Sequence, residues 1–210
     1  MVFVDIGGGN GFVTKGLLDE GIECVLMEPG IQGIRNASSR GIKNLVCSTF
    51  KDANLKQDSI ESAGIFDVLE HLDDDEDFVT DIVRAMKPGG YLYITVPAYS
   101  ILWSYEDVSA MHCRRYTLSA LRAKLKRTGL TPVYETYIFG FLPLPIFLFR
   151  TLPYLLSIQT EKEKGLEKNE HTPSSQVSGI VDFFLRRELS RIKRKKTLTL
   201  GGSCLVVAKK

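Results

Sequence analysis

The sequence has few cysteines, and they are scattered along the chain. Cys24, Cys47, Cys113 and Cys204 form no C-x-x-C pair and no metal-ligand spacing. This distribution argues against a disulfide framework and a cysteine-based metal centre, and it predicts reduced, mostly buried thiols. Reduced thiols are typical of the cytoplasm, so we expect a cytoplasmic protein.

Long apolar runs and a strong net charge are also missing. No apolar run reaches the roughly 20 residues that a helix needs to cross a bilayer, and no signal peptide precedes the first predicted strand. The 27 basic and 25 acidic residues leave a formal charge of +2, which argues against a specific nucleic-acid binder. With 210 residues, 44% of them hydrophobic, the chain can bury one sizeable core, so we expect a single domain over residues 1–210.

A cluster of glycines near the start is the most informative stretch that is present. The apolar run from Val2 to Ile6 predicts a buried strand, and four glycines within Gly7–Gly11 give the backbone freedom for a tight turn. The N–H groups of this turn and the positive end of the following helix, Phe12 to Leu18, can hold a nucleotide-like ligand. A plain strand-to-helix connection would need only one glycine, so the cluster predicts a ligand-binding loop.

The spacing of these glycines separates two classes of ligand. The dinucleotide fingerprint G-x-G-x-x-G requires a third glycine where this chain has Phe12. Asp5, two residues before Gly7, could meet a cationic amino group but would repel a pyrophosphate. An NAD(P)-dependent Rossmann oxidoreductase is therefore the weaker of the two interpretations.

On these residues the sequence resembles the class I S-adenosylmethionine-dependent methyltransferases. Their first motif, acid-x-G-x-G-x-G, is matched by Asp5, Gly7, Gly9 and Gly11. The string D-V-L-E-H-L, Asp67–Leu72, is similar to a segment common in the small-molecule branch of the family, where it borders the methyl donor. The resemblance implies S-adenosyl-L-methionine as the donor and S-adenosyl-L-homocysteine as the product.

The predicted donor site combines the glycine loop with the ends of the next strands. Glu28 follows the second predicted strand about 20 residues after the loop, where an acid can accept hydrogen bonds from both ribose hydroxyls. The resemblance implies adenine contact for Thr49 and Phe50, although an aromatic after a strand also fits core packing. The candidate donor-binding residues are Asp5, Gly7, Gly9, Asn10, Gly11, Glu28, Pro29, Thr49, Phe50, Asp67 and Leu69.

The connection from Ala98 to Thr117 predicts the acceptor pocket, because it lies at the carboxyl edge of the sheet, where open α/β folds bind ligands. It resembles the H-x-R-R-Y-T signature of a bacterial branch of the family. In the structural alternative, Thr117 caps a helix over Leu118–Arg127 and an arginine pairs with Glu106 or Asp107. The candidate substrate contacts are Trp103, Arg114, Arg115 and Tyr116.

Methyl transfer needs little acid–base chemistry, because the leaving thioether is neutral and positioning of the reactants dominates. A base is required only for a hydroxyl or phenol acceptor, and His71 and His112 are then the catalytic candidates. No metal site is predicted. The acidic run Asp73–Asp77 is interpreted as helix N-terminal charge and solvated surface.

Strands and helices alternate along the chain, which predicts an α/β fold. We expect a doubly wound, mostly parallel seven-stranded Rossmann-like sheet whose last strand, as the resemblance implies, is antiparallel. A helix over Phe78–Met86 should end at the turn Lys87–Gly90, and a strand should follow over Tyr91–Pro97.

An insertion over residues 139–196 separates the last two predicted strands. Its first part, Phe139–Phe149, carries no charge, and its prolines argue against a regular helix. A polar segment over Lys162–Ser175 and a helix over Val177–Lys196 with a basic end follow.

The apolar part of the insertion should be covered. It folds back on the sheet, forms a homodimer contact, or meets a lipid-like acceptor or the inner face of a membrane as a peripheral protein. The sequence thus predicts a methyltransferase for a small-molecule or lipid-like acceptor. The alternative outside enzymology is a non-catalytic S-adenosylmethionine-binding module.

Overall fold

The computed structural model describes residues 2–158 and 175–210. The strands are β1 (Phe3–Ile6), β2 (Cys24–Met27), β3 (Leu45–Val46), β4 (Ile60–Phe66), β5 (Met86–Pro97), β6 (Thr131–Ile138) and β7 (Ser203–Lys209). They form one sheet in the order β3-β2-β1-β4-β5-β7-β6. Strands β1 to β5 pair in parallel, and β7 lies antiparallel between β5 and β6. The predicted doubly wound, seven-stranded α/β fold is confirmed.

Helices connect the strands. They are α1 (Phe12–Asp19), α2 (Ile31–Ser39), α3 (Asp75–Ala85), α4 (Tyr105–Ser109), α5 (Leu118–Arg127), α6 (Pro143–Ile146), α7 (Leu152–Leu155) and α8 (Ser175–Lys193). Shorter 3₁₀ turns cover Leu69–His71 and Ser100–Leu102, and a π-helix covers Phe147–Thr151. The predicted N-cap is confirmed, because Thr117 Oγ1 accepts a hydrogen bond from the N–H of Ala120 at 3.2 Å.

The strand order reverses beside β1. Phe3 is paired with Cys24 of β2 on one side and with Ser62 of β4 on the other. Such a reversal opens a crevice outside the carboxyl ends of the parallel strands. The glycine loop after β1 and the residues that follow β2 and β4 therefore meet at one edge of the sheet.

The centre of the sheet supplies most of the core. Ile65 of β4, Leu92 and Ile94 of β5, and Val206 of β7 are fully buried among neighbouring apolar side chains. Burial of each such side chain contributes about 1.5–3 kcal/mol. This packing fixes the strands whose ends carry the candidate site.

The predicted turn at Lys87–Gly90 belongs to a strand instead. β5 begins at Met86, and its pairing with β4 runs from Ile60↔Met86 to Ser62↔Tyr91 across an irregularity. The extra residues of β5 bulge out there, and Gly89 takes a left-handed conformation with φ of 82°. The proline and glycines thus serve a bulge at the strand start, which local turn signals do not distinguish from a separate turn.

The expectation that prolines argue against a regular helix in the first part of the insertion is confirmed, because the segment is helical but irregular, with a π-helix between two four-residue α-helices. Helix α6, the π-helix and helix α7 follow one another without interruption from Pro143 to Leu155. Pro143 lies at the start of α6, where the missing N–H group costs no intrahelical hydrogen bond, whereas Pro153 lies within the continuous segment, just after the π-helix. The predicted polar segment Lys162–Ser175 lies outside the described residues, except for Ser175, which is the first residue of α8.

The structure also tests the expectations about the cysteines and about membrane-spanning helices. The cysteines are free, but only Cys24 and Cys204 are buried, whereas Cys47 and Cys113 are exposed; the prediction of mostly buried thiols is right for half of them. Among residues 2–158 and 175–210, no helix is both long and apolar enough to span a membrane. The single domain over the whole chain stays a prediction.

A buried carboxylate attaches α8 to the end of β6. Glu188 accepts hydrogen bonds from the N–H groups of Phe139, at 2.6 Å, and Gly140, at 3.0 Å. Phe139 has a positive φ of 59°, so its backbone cannot continue the strand. The carboxylate satisfies the two N–H groups that the end of the ladder leaves unpaired.

We predict that Glu188→Gln lowers the free energy of unfolding by about 1–3 kcal/mol, because the amide offers one acceptor oxygen to two buried donors. Urea denaturation followed by circular dichroism measures the change. The matched control is Glu61→Gln, which removes the charge from an exposed pair with Lys87. Equal losses in the two variants would contradict an anchoring role for Glu188.

Candidate functional site

The glycine loop depends on backbone conformations that favour glycine. Gly7 and Gly11 have φ values of 74° and 79°, in the left-handed region. A Cβ on Gly11 would also lie 2.5 Å from Ile42 Cδ1, which is too close for any side chain. The loop is tied to β2, since the N–H of Gly7 donates to the carbonyl oxygen of Met27 at 2.8 Å.

Glu28, at the carboxyl end of β2, joins this loop to the next helix. One carboxylate oxygen accepts the N–H of Gly9 at 3.0 Å, and the other accepts the N–H of Gly30 at 2.7 Å. The side chain is half-buried and faces the edge of the sheet. The predicted ribose acceptor thus also holds the loop around the candidate donor site.

Asp5 lies beneath the loop. It is only 1% exposed, and its Oδ2 accepts the hydroxyl of Thr14 at 2.5 Å. Its Oδ1 has no hydrogen-bond partner within the described residues. Burial raises the pKa of Asp5, and the hydrogen bonds from Thr14 oppose that rise. The carboxyl group is therefore buried under the loop, and one of its oxygens has no partner among the described residues.

A cavity of about 420 Å³ opens at the carboxyl ends of β1, β2 and β4. Seven residues proposed from the sequence line it: Gly7, Glu28, Pro29, Thr49, Phe50, Asp67 and His71. Met27, Ser48 and Phe78 complete much of the wall. Phe50 is also part of the core, and its ring meets the edge of Phe78 at 6.0 Å between centroids. The core-packing interpretation of Phe50 is confirmed, and its contact with adenine stays a prediction.

The remaining donor-site candidates lie outside this lining. Gly9, Asn10 and Gly11 form the rest of the glycine loop, and the side-chain oxygen of exposed Asn10 accepts the amide of Asn36 at 2.8 Å. Leu69 is fully buried in the core. Its side chain is therefore turned away from the cavity.

Asp67 stands at the mouth of the cavity in a strained conformation. Its φ is 53°, which is uncommon for a residue other than glycine. The hydroxyl of Thr95 donates to its carboxylate at 3.3 Å. Although the residue is exposed, the surrounding protein displaces water from its carboxyl group and raises its pKa. In this conformation Asp67 lines the cavity at the carboxyl edge of the sheet.

The structure brings the two candidate catalytic histidines together. The rings of His71 and His112 meet edge to face, with centroids 4.8 Å apart. His71 is exposed on the 3₁₀ turn after β4, and His112 is half-buried. The pKa of His71 is lowered, first because protein displaces water from the ring and second because His112 lies beside it.

A buried carboxylate orients His112. Asp107 Oδ1 lies 2.9 Å from His112 Nδ1, and the same carboxylate accepts two hydrogen bonds from Arg115 at 2.7 and 2.9 Å. The N–H and the hydroxyl of Ser104 also donate to it. Burial alone would raise the pKa of Asp107, but the hydrogen bonds from Arg115 and His112 outweigh it and lower the pKa. Nδ1 of His112 is thereby committed, and Nε2 is left for other partners.

Arg115, proposed as a substrate contact, is thus placed in a buried ion pair behind His112, as the structural alternative proposed. Tyr116 is also buried, and its hydroxyl donates to Asp75 Oδ2 at 2.5 Å. Arg114 lies 3.3 Å from the same carboxylate, and Trp103 is half-buried in the connection before α4. None of the four lines the 420 Å³ cavity, so their contact with a substrate stays a prediction.

Asp75 corrects the interpretation of the acidic run. It is 2% exposed and is paired with Lys124 as well as with Arg114 and Tyr116. The run therefore includes one buried network at the start of α3 in addition to solvated charge. The sequence could not identify which of the five consecutive acids is buried, because all five carry the same charge.

Sequence reasoning gave no role to Glu70. This residue is 1% exposed, and neither carboxylate oxygen has a hydrogen-bond partner within the described part of the chain. Burial is the main cause that raises its pKa to about 8. Its position directly before His71 was the available signal, because adjacent Glu and His side chains can converge at the end of a strand.

Solved structures share this fold over the whole chain. The S-adenosylmethionine-dependent methyltransferase from Archaeoglobus fulgidus superposes with a TM-score of 0.63 at 20% identity, covering 100% of this chain and 86% of that one. Phosphoethanolamine N-methyltransferase 2 from Haemonchus contortus, in complex with S-adenosyl-L-methionine, gives a TM-score of 0.60 at 19% identity, with 100% and 48% covered. At these identities the likeness establishes the fold.

The amino-acid sequence identifies the family. The mitochondrial ubiquinone biosynthesis O-methyltransferase of Rattus norvegicus is 28% identical over an alignment of 104 residues that covers 45% of this chain and 30% of the rat enzyme. Residues 1–135, more than half of the 210 in the chain, match the methyltransferase-domain family. The chain therefore belongs to this family, the class I S-adenosylmethionine-dependent methyltransferases.

Proposed function

We propose that the protein transfers a methyl group from S-adenosylmethionine to a hydroxyl group of a small-molecule acceptor. The observation that carries this proposal is the 420 Å³ cavity in which the glycine loop, Glu28 and Asp67 meet beside His71. A sulfonium donor fits this setting, because carboxylates favour its positive charge and its ammonium group.

Each wall of the cavity has a proposed task. Glu28 accepts hydrogen bonds from the ribose hydroxyls, and Thr49 and Phe50 contact the adenine. The loop from Gly7 to Gly11 borders the methionine end of the donor, and the Asp5 oxygen without a partner among the described residues is the proposed partner for its ammonium group. The two backbone N–H groups that donate to Glu28 fix the position of its carboxylate beside the cavity.

Catalysis then consists mainly of alignment. The acceptor oxygen attacks the methyl carbon in line with the carbon–sulfur bond, and the bonding pair stays on sulfur as the neutral thioether of S-adenosylhomocysteine. Reactants held at near-attack distance need little further assistance. A hydroxyl acceptor must also lose a proton, and the adjacent imidazoles of His71 and His112 favour such an acceptor over an amine. The rat relative is itself an O-methyltransferase.

We predict that Glu28→Ala weakens S-adenosylhomocysteine binding by about 1–3 kcal/mol, because hydrogen bonds to a charged acceptor are lost. Isothermal titration calorimetry measures the dissociation constant. Glu23→Ala is the matched control, since Glu23 is an exposed acid at the opposite end of β2. A folded Glu28→Ala variant with the affinity of the parent would remove Glu28 from the donor site.

Transfer itself is tested with S-adenosylmethionine labelled in its methyl group and a panel of hydroxylated small molecules. Label appearing in an acceptor supports the enzyme. Donor binding without any transfer across the panel, amines and lipids included, would instead favour a non-catalytic S-adenosylmethionine-binding module.

We also propose that the insertion makes peripheral contact with a membrane surface, from which a lipid-like acceptor would be taken. The α6 to α7 segment exposes a run of large apolar side chains, among them Leu144 at 66%, Phe149 at 78% and Leu155 at 64%. Isolated exposed apolar residues are common, but such a run marks an interaction surface.

Helix α8 adds apolar and basic side chains next to this segment. The ring of Phe184 stacks on that of Phe141 with centroids 5.5 Å apart, and Phe183 is 60% exposed. Arg187 and Arg191 line a cavity of about 350 Å³ together with Phe141 and Phe184. Apolar side chains beside arginines suit the interface of an anionic bilayer better than a neutral one.

We predict that the protein sediments with anionic liposomes and that high salt weakens this binding. The triple variant Leu144→Ser, Phe149→Ser and Leu155→Ser should lose most of it. The control variant Val2→Ser, Ile22→Ser and Val133→Ser changes exposed apolar residues elsewhere and should bind as the parent does. A parent protein that stays in the supernatant, but whose dimer is broken by the first triple variant in light scattering, would make the surface a homodimer contact.

A further inference from the structure

Three side chains with metal-binding atoms converge at the edge of the donor cavity. Glu70 and His71 come from the 3₁₀ turn after β4, and His112 comes from the connection after α4. One ligand atom from each of the three lies within 4.8 Å of the other two. His71 also lines the cavity, so the cluster borders the space proposed for the methyl donor.

The carboxyl group of Glu70 has no hydrogen-bond partner in the described part of the chain. A buried carboxyl group without a hydrogen bond is costly, and proteins usually satisfy such a group with a donor or a cation. Glu70 is 1% exposed, and both of its oxygens are without a protein partner among residues 2–158 and 175–210. Asp67, Asp107 and Arg115 are its charged neighbours. Arg115 is paired with Asp107, whereas the carboxyl group of Asp67 adds an acid to the side of the cluster that faces the cavity.

The imidazole of His112 is oriented as a metal ligand usually is. Metal-binding histidines commonly donate the second ring N–H to a carboxylate, which fixes the tautomer and the direction of the ring. Asp107 accepts from Nδ1 of His112 at 2.9 Å, and Arg115 and Ser104 hold that carboxylate in turn. The Nε2 atom is then the one free to bind an ion.

We propose that Glu70, His71 and His112 bind one divalent transition-metal cation of the Zn²⁺ or Mn²⁺ class. Two imidazoles and one carboxylate form a common set for such ions, with open positions for other ligands. Bonds of about 2.0–2.2 Å allow two ligand atoms on one ion to be at most about 4.4 Å apart. The ligand atoms lie within 4.8 Å of one another, and a small rotation of the exposed His71 side chain would bring them within this 4.4 Å limit.

The cation has a defined use in methyl transfer, and this use rests on the function proposed above. The acceptor hydroxyl occupies an open position on the ion, which makes its oxygen more acidic. The O–H proton goes to water, an oxygen–carbon bond forms to the methyl group, and the carbon–sulfur bond breaks with its pair on sulfur. The two histidines then act by holding the ion, and the expectation of no metal from the sequence is replaced.

Binding of Mn²⁺ to the protein freed of metal by a chelator tests the site. The electron paramagnetic resonance signal of free Mn²⁺ disappears when the ion binds, so a titration gives the stoichiometry and the dissociation constant. We expect one equivalent to bind, and Zn²⁺ to displace it.

The variants Glu70→Gln and His71→Ala separate this site from adventitious binding. Each should weaken Mn²⁺ binding by about 10- to 100-fold, while the remaining histidine of the sequence, changed in His171→Ala, should leave it as in the parent. His71 is exposed, so its variant is expected to fold even where a change of buried Glu70 does not. Circular dichroism checks the fold of each variant.

The outcomes separate the metal site from the proposed reaction. A parent without a bound equivalent of Mn²⁺, or His71→Ala with unchanged affinity, would overturn the metal site even where S-adenosylhomocysteine still binds. Mn²⁺ binding that depends on His71, in a protein without affinity for S-adenosylhomocysteine, would support the metal site and overturn the methyl-transfer proposal alone.

Discussion

The carboxylate of Glu28 is the interaction on which the candidate site depends. Its two oxygens accept the N–H groups of Gly9 and Gly30, so a single side chain joins the loop after β1 to the start of α2. Without it, the left-handed glycine turn would face water at the sheet edge with fewer constraints on its shape. The reversal of strand order beside β1 then turns this edge into a crevice.

Two buried acids near the crevice contrast in their partners. Asp107 receives hydrogen bonds from Arg115, Ser104 and His112 and is a stable part of the scaffold. Glu70, equally buried, receives none within the described residues. Buried polar groups are usually hydrogen-bonded, and a buried carboxyl group without a partner beside two imidazoles is a group that a bound cation would satisfy.

Much of the fold followed from local signals. The alternation of strands and helices, the glycine loop after β1 and the acid after β2 are encoded by consecutive residues, and the structure has them where the sequence predicts them. The prolines of the insertion predicted that no regular helix forms there, but not where α6 begins, because proline is tolerated in a first turn and helix starts inside an apolar run carry no clear signal.

The partners of the site residues could not be predicted in the same way. Whether Arg115 faces a substrate or Asp107 depends on where the folded chain places α4, which carries Asp107, and no spacing encodes it. Glu70 and His112 are distant in sequence and meet only in the folded chain. Long-range contacts of this kind decide the role of a residue whose type and motif suggest several.

Parallel calorimetric titrations with S-adenosylhomocysteine and NADH test the central claim most directly. A loop with glycines at positions 7, 9 and 11, an acid beneath it and Glu28 on the ribose should bind S-adenosylhomocysteine with one equivalent and leave NADH unbound. Binding of NADH without binding of S-adenosylhomocysteine would contradict the account and favour an oxidoreductase.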